Sequence, residues 1–275
     1  MDRTPVVILL RCFSRIDDAV INVRDLLSKF SAYNYCIVVV TNGDAKGFIY
    51  PQGQGEYFVL RIPDQDNDFH ASGDAYLFRR GLEYAHAQGF QFAICLTSDT
   101  WLLNEALLKK YLSLLIAGKH QWISSQWTTP HEAGLDLVLL NVPFAIEQQL
   151  IWPKGVPPET WIYQKLKTLG PQIYGRIREI FPIEYPRHLW RAGFDPSGAF
   201  HCDLRVMYFP RAAVVTHHTE SLPLGMASKK RYANDCVGRL LFTDTASKVP
   251  QRFWRGLFRR IYHWLDDRLY PIYFS

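Results

Sequence analysis

The chain has 275 residues, 48% of them hydrophobic and 21% charged, which is ordinary globular usage and argues against disorder. Its formal charge of +5 suits an anionic ligand or an anionic membrane surface and is too small to indicate nucleic acid. The cysteines Cys12, Cys36, Cys95, Cys202 and Cys236 form no CxxC pair and no zinc-like spacing, so they read as buried small hydrophobes in a reducing compartment rather than as a disulfide framework.

Val6–Leu10 is a short continuous apolar run, the pattern of a strand buried on both faces of a parallel sheet, and too short for a signal segment or a membrane span. A cytosolic address is therefore expected. Asp17–Phe30 follows with Val20, Val23, Leu26, Leu27 and Phe30 at helical spacing, and Ser14 or Asp17 as its cap. Tyr35–Val40 is a second buried strand closed by the turn-forming Thr41-Asn42-Gly43-Asp44, and Tyr57–Ile62 is a third, ended by Pro63. A polar loop with Asp66, Asp68 and His70 leads to a helix from about Ser72 to Ala87. Phe90–Leu96 is the fourth strand, and it stops at Thr97-Ser98-Asp99.

This alternation predicts a mostly parallel sheet with crossover helices, whose ligands bind outside the carboxyl ends of the strands. The polar residues at those ends, Arg11–Arg15, Asn42 with Asp44, and Ser98 with Asp99, should converge on one rim. Further on, Asn104–Leu115 reads as a helix, Gln121–Trp127 as a strand, and Asp136–Val142 as a strand broken by Pro143. Pro157–Gly170 carries a short amphipathic helix, and Arg205–Phe209 and Ala212–Thr216 read as strands, the last ending in His217-His218. The pattern predicts one α/β domain over 1–240 with a C-terminal appendage, 241–275. In that appendage Phe253, Leu257, Ile261 and Trp264 fall on one helical face, with Arg252, Arg255, Arg259 and Arg260 around the rest. Such an amphipathic segment suits an interfacial helix on anionic lipid, or a helix docked on the domain or on a partner.

The ordered set of segments resembles the GT-A glycosyltransferases, in particular their family 2-like branch. Leu10-Arg11-Cys12-Phe13-Ser14-Arg15 is similar to the first loop, and Val38-Val39-Val40-Thr41-Asn42-Gly43-Asp44 to the second strand with its donor-base loop. Gly73 through Gly81-Leu82-Glu83-Tyr84-Ala85 resembles the helix with a G-L-x-x-A segment, and Ile94-Cys95-Leu96-Thr97-Ser98-Asp99 the strand bearing a metal-binding D-x-D. Pro158-Glu159-Thr160-Trp161, Lys165–Gly170 and Val214–His218 resemble an acidic helix start, its R-L-x-x-x-G tail and a late strand ending in His. Thr97 stands where the first Asp of D-x-D would be, Glu159-Thr160 replaces a paired acid, and Arg79 stands where the family often has Asn.

The resemblance implies a GT-A-like, Rossmann-like mixed sheet and a hexosyltransferase-type reaction. A nucleoside-diphosphate sugar would be the donor, with a divalent metal, Mn or Mg, to stabilise the diphosphate leaving group. The metal ligands would be Asp99 with His217 or His218, and the donor residues Arg11, Arg15, Asn42, Asp44, Arg79, Ser98 and Asp99. Glu159, Asp195 and Asp203 are candidates for the base on the acceptor hydroxyl. Each has a plainer reading: a helix N-cap for Asp99, an Asn-Gly turn for Asn42 to Asp44, a solvated helix face for Arg79 and Arg80, a structural role for the two histidines, a helix-dipole charge for Glu159. A carbohydrate or lipid-linked acceptor would fit surface polysaccharide synthesis at the inner face of a membrane. The competing expectations are a non-catalytic, membrane-associated scaffold of the same fold and, less well supported, a nucleotidyltransferase, which wants a glycine-rich loop that 11–15 lacks.

Overall fold

A strand apolar at every interior position belongs inside a sheet covered on both faces. In the computed structural model Pro5–Cys12 (β1) takes that place, paired in parallel with Asn34–Thr41 (β2) on one side and Phe92–Thr97 (β4) on the other. The structure describes residues 5–13, 16–43, 57–64, 70–102, 105–126, 133–151, 157–178, 183–185, 206–209 and 214–217. Tyr57–Arg61 (β3) adds in parallel to β2 at the edge. Leu137–Asn141 (β7) runs antiparallel to β4, Trp122–Gln126 (β6) antiparallel to β7, and Tyr174–Arg178 (β8) parallel to β6. The order is β3-β2-β1-β4-β7-β6-β8. Two reversals cancel, so β6 and β8 point the same way as β1 to β4, and only β7 runs against them. This is the mostly parallel mixed sheet, flanked by helices, that the sequence predicts.

Period-two alternation divides the core into two layers. Val6, Ile8, Leu10 and Cys12 face Ile16–Lys29 (α1) and Glu105–Ile116 (α3), through Ala19, Val23, Leu26, Leu108, Leu112 and Leu115. Val7 and Leu9 face the opposite layer, made by His70–Ala87 (α2), Val142–Glu147 (α4) and Pro158–Leu169 (α5). Helix α2 packs close to the sheet because it carries Gly81, where a Cβ would come within 3.0 Å of a Val40 methyl and 3.3 Å of a Leu9 methyl.

Pro143 is not simply a strand breaker. It lies in the first turn of α4, where a missing N–H costs nothing, and the Asn141 side chain caps that helix by accepting from the Phe144 amide at 3.0 Å. The expectation of strand from Asp136 to Val142 is corrected at both ends, to Leu137–Asn141.

Trp101–Leu102 (β5) leaves the main sheet directly after Asp99-Thr100 and joins a second one. With Ile183–Tyr185 (β9), Val206–Phe209 (β10) and Val214–His217 (β11) it forms the antiparallel order β5-β11-β10-β9. The segment 241–275 and the proposed boundary at 240 lie outside the described residues. Among the described residues no helix is long and apolar enough to cross a membrane.

Candidate functional site

The strand directions bring the ends of β1, β2, β3, β4, β6 and β8 and the start of β7 to one rim. Asp99 occupies its centre, half-buried in the turn between β4 and β5, where the chain passes from the large sheet to the small one. The element that follows is a strand and α3 begins only at Glu105, so Asp99 does not cap a helix.

That turn is held from every side. The Ser98 amide donates to the Arg11 carbonyl at 2.9 Å, and the Thr100 amide to the Thr97 carbonyl at 3.1 Å. The Thr97 and Thr100 hydroxyls bond each other at 2.8 Å, so the side chain standing in place of the first D-x-D acid is occupied within the turn. From α1 the buried Asn22 amide donates to the Thr100 carbonyl at 2.7 Å. Ser98 is itself buried and reaches the rim through its backbone rather than as an open hydroxyl. Replacing Asn22 by Ala strands the buried Thr100 carbonyl, and a stability loss of about 1–3 kcal/mol is expected in urea unfolding. A variant as stable as the parent would show that the bond contributes nothing.

The antiparallel register between β11 and β5 pairs Val214 with Leu102 and Val215 with Trp101. His217 is the last residue of β11, beyond the two positions paired with β5. His218 lies outside the described residues, as do Arg15, Asp44, Asp195 and Asp203.

At the neighbouring strand end Asn42 is 3% exposed, and its Oδ1 finds no hydrogen-bond partner among the described residues. An orphaned buried acceptor at a strand end is the kind of group a ligand satisfies. Beside it Gly43 takes φ +57°, and its amide donates to the Asp64 carboxylate at 2.7 Å. The Phe13 ring lies so close over Gly43 that a Cβ there would fall 2.2 Å from it, yet 48% of Phe13 remains exposed. The rim thus carries a half-exposed aromatic ring near a buried amide whose oxygen has no partner among the described residues.

Arg11 does not lie open to a phosphate. Its guanidinium is buried, donating to Asp74 through Nε at 2.7 Å and Nη2 at 3.0 Å, to the Leu135 carbonyl at 2.7 Å, and stacking 4.6 Å from the Phe78 centroid. Burial alone would lower its pKa, but the charge and hydrogen bond of Asp74, with Asp136 nearby, turn the net shift upward, so the cation is permanent. The phosphate contact expected of Arg11 is therefore corrected to an internal ion pair. Arg79 is likewise held inside its helix, 3.6 Å from Glu83 and stacked 5.5 Å from the Tyr76 centroid. It sits about 13 Å along α2 from the rim end, at 1.5 Å per residue.

Glu159 lies in the first turn of α5, half-buried, where the helix dipole favours its charge. Its carbonyl accepts from the Ala133 amide at 3.1 Å, which fixes the helix start beside the segment leading to Asp136 and β7. Asp136 borders the same rim, its carbonyl accepting from the Thr97 amide at 3.3 Å. Cys95 is buried beneath the site and desolvation pushes its thiol up, so it stays protonated and inert.

Asp74, Asn22, Phe13 and Asp136 were not foreseen as site residues. The signal was available for two of them. Asp74 shares the sheet-facing stripe of α2 with Phe78, and Asn22 stands between the buried Ile21 and Val23. A polar group in such a place needs a partner.

No protein-family model matches this chain, and no curated protein does. Its fold is similar to several solved structures. One is a putative nucleotide-diphospho-sugar transferase from Desulfovibrio desulfuricans, at TM-score 0.43 and 14% identity over 63% of this chain and 79% of that one. Another is a cytidylyltransferase from Leptospira borgpetersenii, at 0.41 and 16% over 66% and 77%. A third is S. aureus TarS, at 0.41 and 10% over 60% of this chain and 33% of the other. Likeness at this distance concerns the fold, and chemistry has to be read from the rim.

Proposed function

We propose that this protein is a glycosyltransferase that moves a sugar from a nucleoside-diphosphate donor to a hydroxyl acceptor, with Asp99 at the centre of the donor site. The observation that supports it best is the immobilised turn at the junction of the two sheets. The Arg11 carbonyl, Asn22 and the threonine pair hold its backbone, so Asp99 is pre-positioned rather than left on a mobile loop. A carboxylate so placed could hold a cation where charge develops on the leaving diphosphate.

The half-exposed ring of Phe13 suits a stacked nucleobase, and the buried Asn42 oxygen, without a partner among the described residues, would accept from an N–H donor if the neighbouring loop opened to it. Asp44 and Arg15 would add to this side. A divalent metal fits the donor set only as one shared with the diphosphate. Among the described residues no three His, Cys, Asp or Glu side chains form a metal-holding group; Asp99, with His217 and His218 as the sequence suggests, would hold an ion that also binds phosphate oxygens. When bound, such an ion would neutralise charge developing on the leaving diphosphate.

In the transfer the acceptor oxygen forms a bond to the anomeric carbon while the bond from that carbon to the diphosphate breaks. The acceptor proton passes to a carboxylate, for which Glu159 is the candidate on α5, with Asp195 and Asp203 as the others. The basic aromatic run 252–265 lies outside the described residues and supports, on sequence alone, an acceptor presented at an anionic lipid surface.

A thermal-shift screen of UDP- and GDP-sugars with and without Mn²⁺ tests this reading. Saturation to about one hundred times the dissociation constant adds about 2.7 kcal/mol, a rise in Tm of roughly 5 °C that a chelator should reverse. A flat response to every common nucleotide sugar would favour the non-catalytic scaffold instead.

A further inference from the structure

The donor-site reading leaves unexplained why a buried arginine, ion-paired to a partly exposed aspartate, lies beneath the rim. Such a pair is rarely worth more to stability than apolar residues of the same volume, so its use points to what the guanidinium fork orders. Arg11 is the last-but-one residue of the central strand β1, paired with Val40 and Thr97 in the strands on either side. Its backbone carbonyl holds the Ser98 amide at 2.9 Å, one residue before Asp99. Its side chain holds the Leu135 carbonyl at 2.7 Å, two residues after Ala133, whose amide is bonded to the Glu159 carbonyl at 3.1 Å. Asp74 on α2 takes the other two guanidinium bonds and sets the direction in which the fork points. One residue therefore ties together the turn that carries Asp99 and the segment that anchors Glu159.

We infer that Arg11, oriented by Asp74, is a positioning residue that fixes the separation between the donor-site carboxylate Asp99 and the acceptor-side carboxylate Glu159. The role given to those two carboxylates rests on the transferase reading, but the mechanical link does not. Lysine cannot replace Arg11 in this arrangement, because an ammonium is a single point of charge. It lacks the planar fork that meets a carboxylate with two bonds while a third N–H meets a carbonyl.

The test uses the full chain with Arg11→Lys and, from the other side of the pair, Asp74→Asn, so that a folded variant is obtained even if one substitution is not tolerated. Amide hydrogen exchange is followed in 97–101, in 133–137 and, as reference, in β2. Exchange about tenfold faster in both segments, with β2 unchanged, is expected. Where the wild type transfers sugar, kcat should fall about 100-fold, the cost of a misplacement near 1 Å, with the donor KM within about threefold. Retained protection in either segment, or a loss spread evenly over the sheet, would overturn the inference. A wild type that binds no nucleotide sugar would instead remove the transferase reading, and the exchange data would still decide whether Arg11 couples the two segments.

Discussion

Truncating Asp74 to alanine should lower the unfolding free energy by about 3–5 kcal/mol, the range for deleting one member of a buried ion pair. The size follows from what is left behind. The Arg11 side chain is 1% exposed and cannot swing to water, because its strand is locked between β2 and β4. Without Asp74 it keeps only the Leu135 carbonyl and the face of Phe78. Asp74 is itself 30% exposed, so part of its own hydration survives folding and the loss belongs in the lower half of that range. Urea unfolding would report it as a lower midpoint at unchanged slope. The double substitution Arg11→Met with Asp74→Leu should recover most of the loss, since it removes the stranded charge. Arg79→Ala, which breaks a half-exposed i,i+4 pair with Glu83 within one helix, should cost about 0.5 kcal/mol. An Asp74→Ala variant as mild as Arg79→Ala would mean that water reaches the Arg11 guanidinium and that the pair is a surface one.

How far the fold could be read from sequence depends on whether one period dominates a segment. Val6–Leu10, Tyr35–Val40 and Ile94–Leu96 are apolar at successive positions, which fits only strands covered on both faces, and the rim at their carboxyl ends follows from that alone. The elements that escaped are short and mixed. Trp101–Leu102 has too few residues for any period to register. Tyr174–Arg178 reads as polar because Gly175 and two arginines interrupt it; in the fold Arg176 lies 5.0 Å from the ring centroids of both Tyr163 and Tyr174, and the Tyr174 hydroxyl meets Ser124 at 3.0 Å. The site was half legible for a related reason. Strand-end position singles out Asp99, Asn42 and Arg11, but sequence does not say which way a side chain leaves the strand. Arg11 goes inward to α2, 63 residues away along the chain, and no local pattern encodes that pairing. What was legible was the conflict itself, a cation in a buried strand and a carboxylate on a buried helix stripe, each needing the other.

Replacing Asp99 by alanine should abolish measurable sugar transfer, a fall of about 1,000-fold in kcat or more, while leaving the fold intact. On the transferase reading, a carboxylate that helps to hold a divalent cation against the leaving diphosphate would contribute several kcal/mol to the transition state, at about 1.4 kcal/mol per decade of rate. Bonds from other residues also tie this turn down. Arg11, Asn22 and the Thr97–Thr100 hydroxyl pair bind the neighbouring residues on both sides of Asp99, so the backbone of 97–100 should survive the truncation. Two measurements separate the alternatives. A thermal midpoint close to that of the parent shows that the fold is intact, and calorimetric titration with donor and Mn²⁺ shows whether binding is lost along with turnover. Asp99→Asn should behave nearly as badly as Asp99→Ala, since an amide keeps the shape and loses the charge. Turnover retained in Asp99→Asn would mean that the side chain serves by its hydrogen bonds alone. Turnover retained in Asp99→Ala as well would remove this carboxylate from the chemistry and move the search to Asp136, which stands on the same rim at the start of β7.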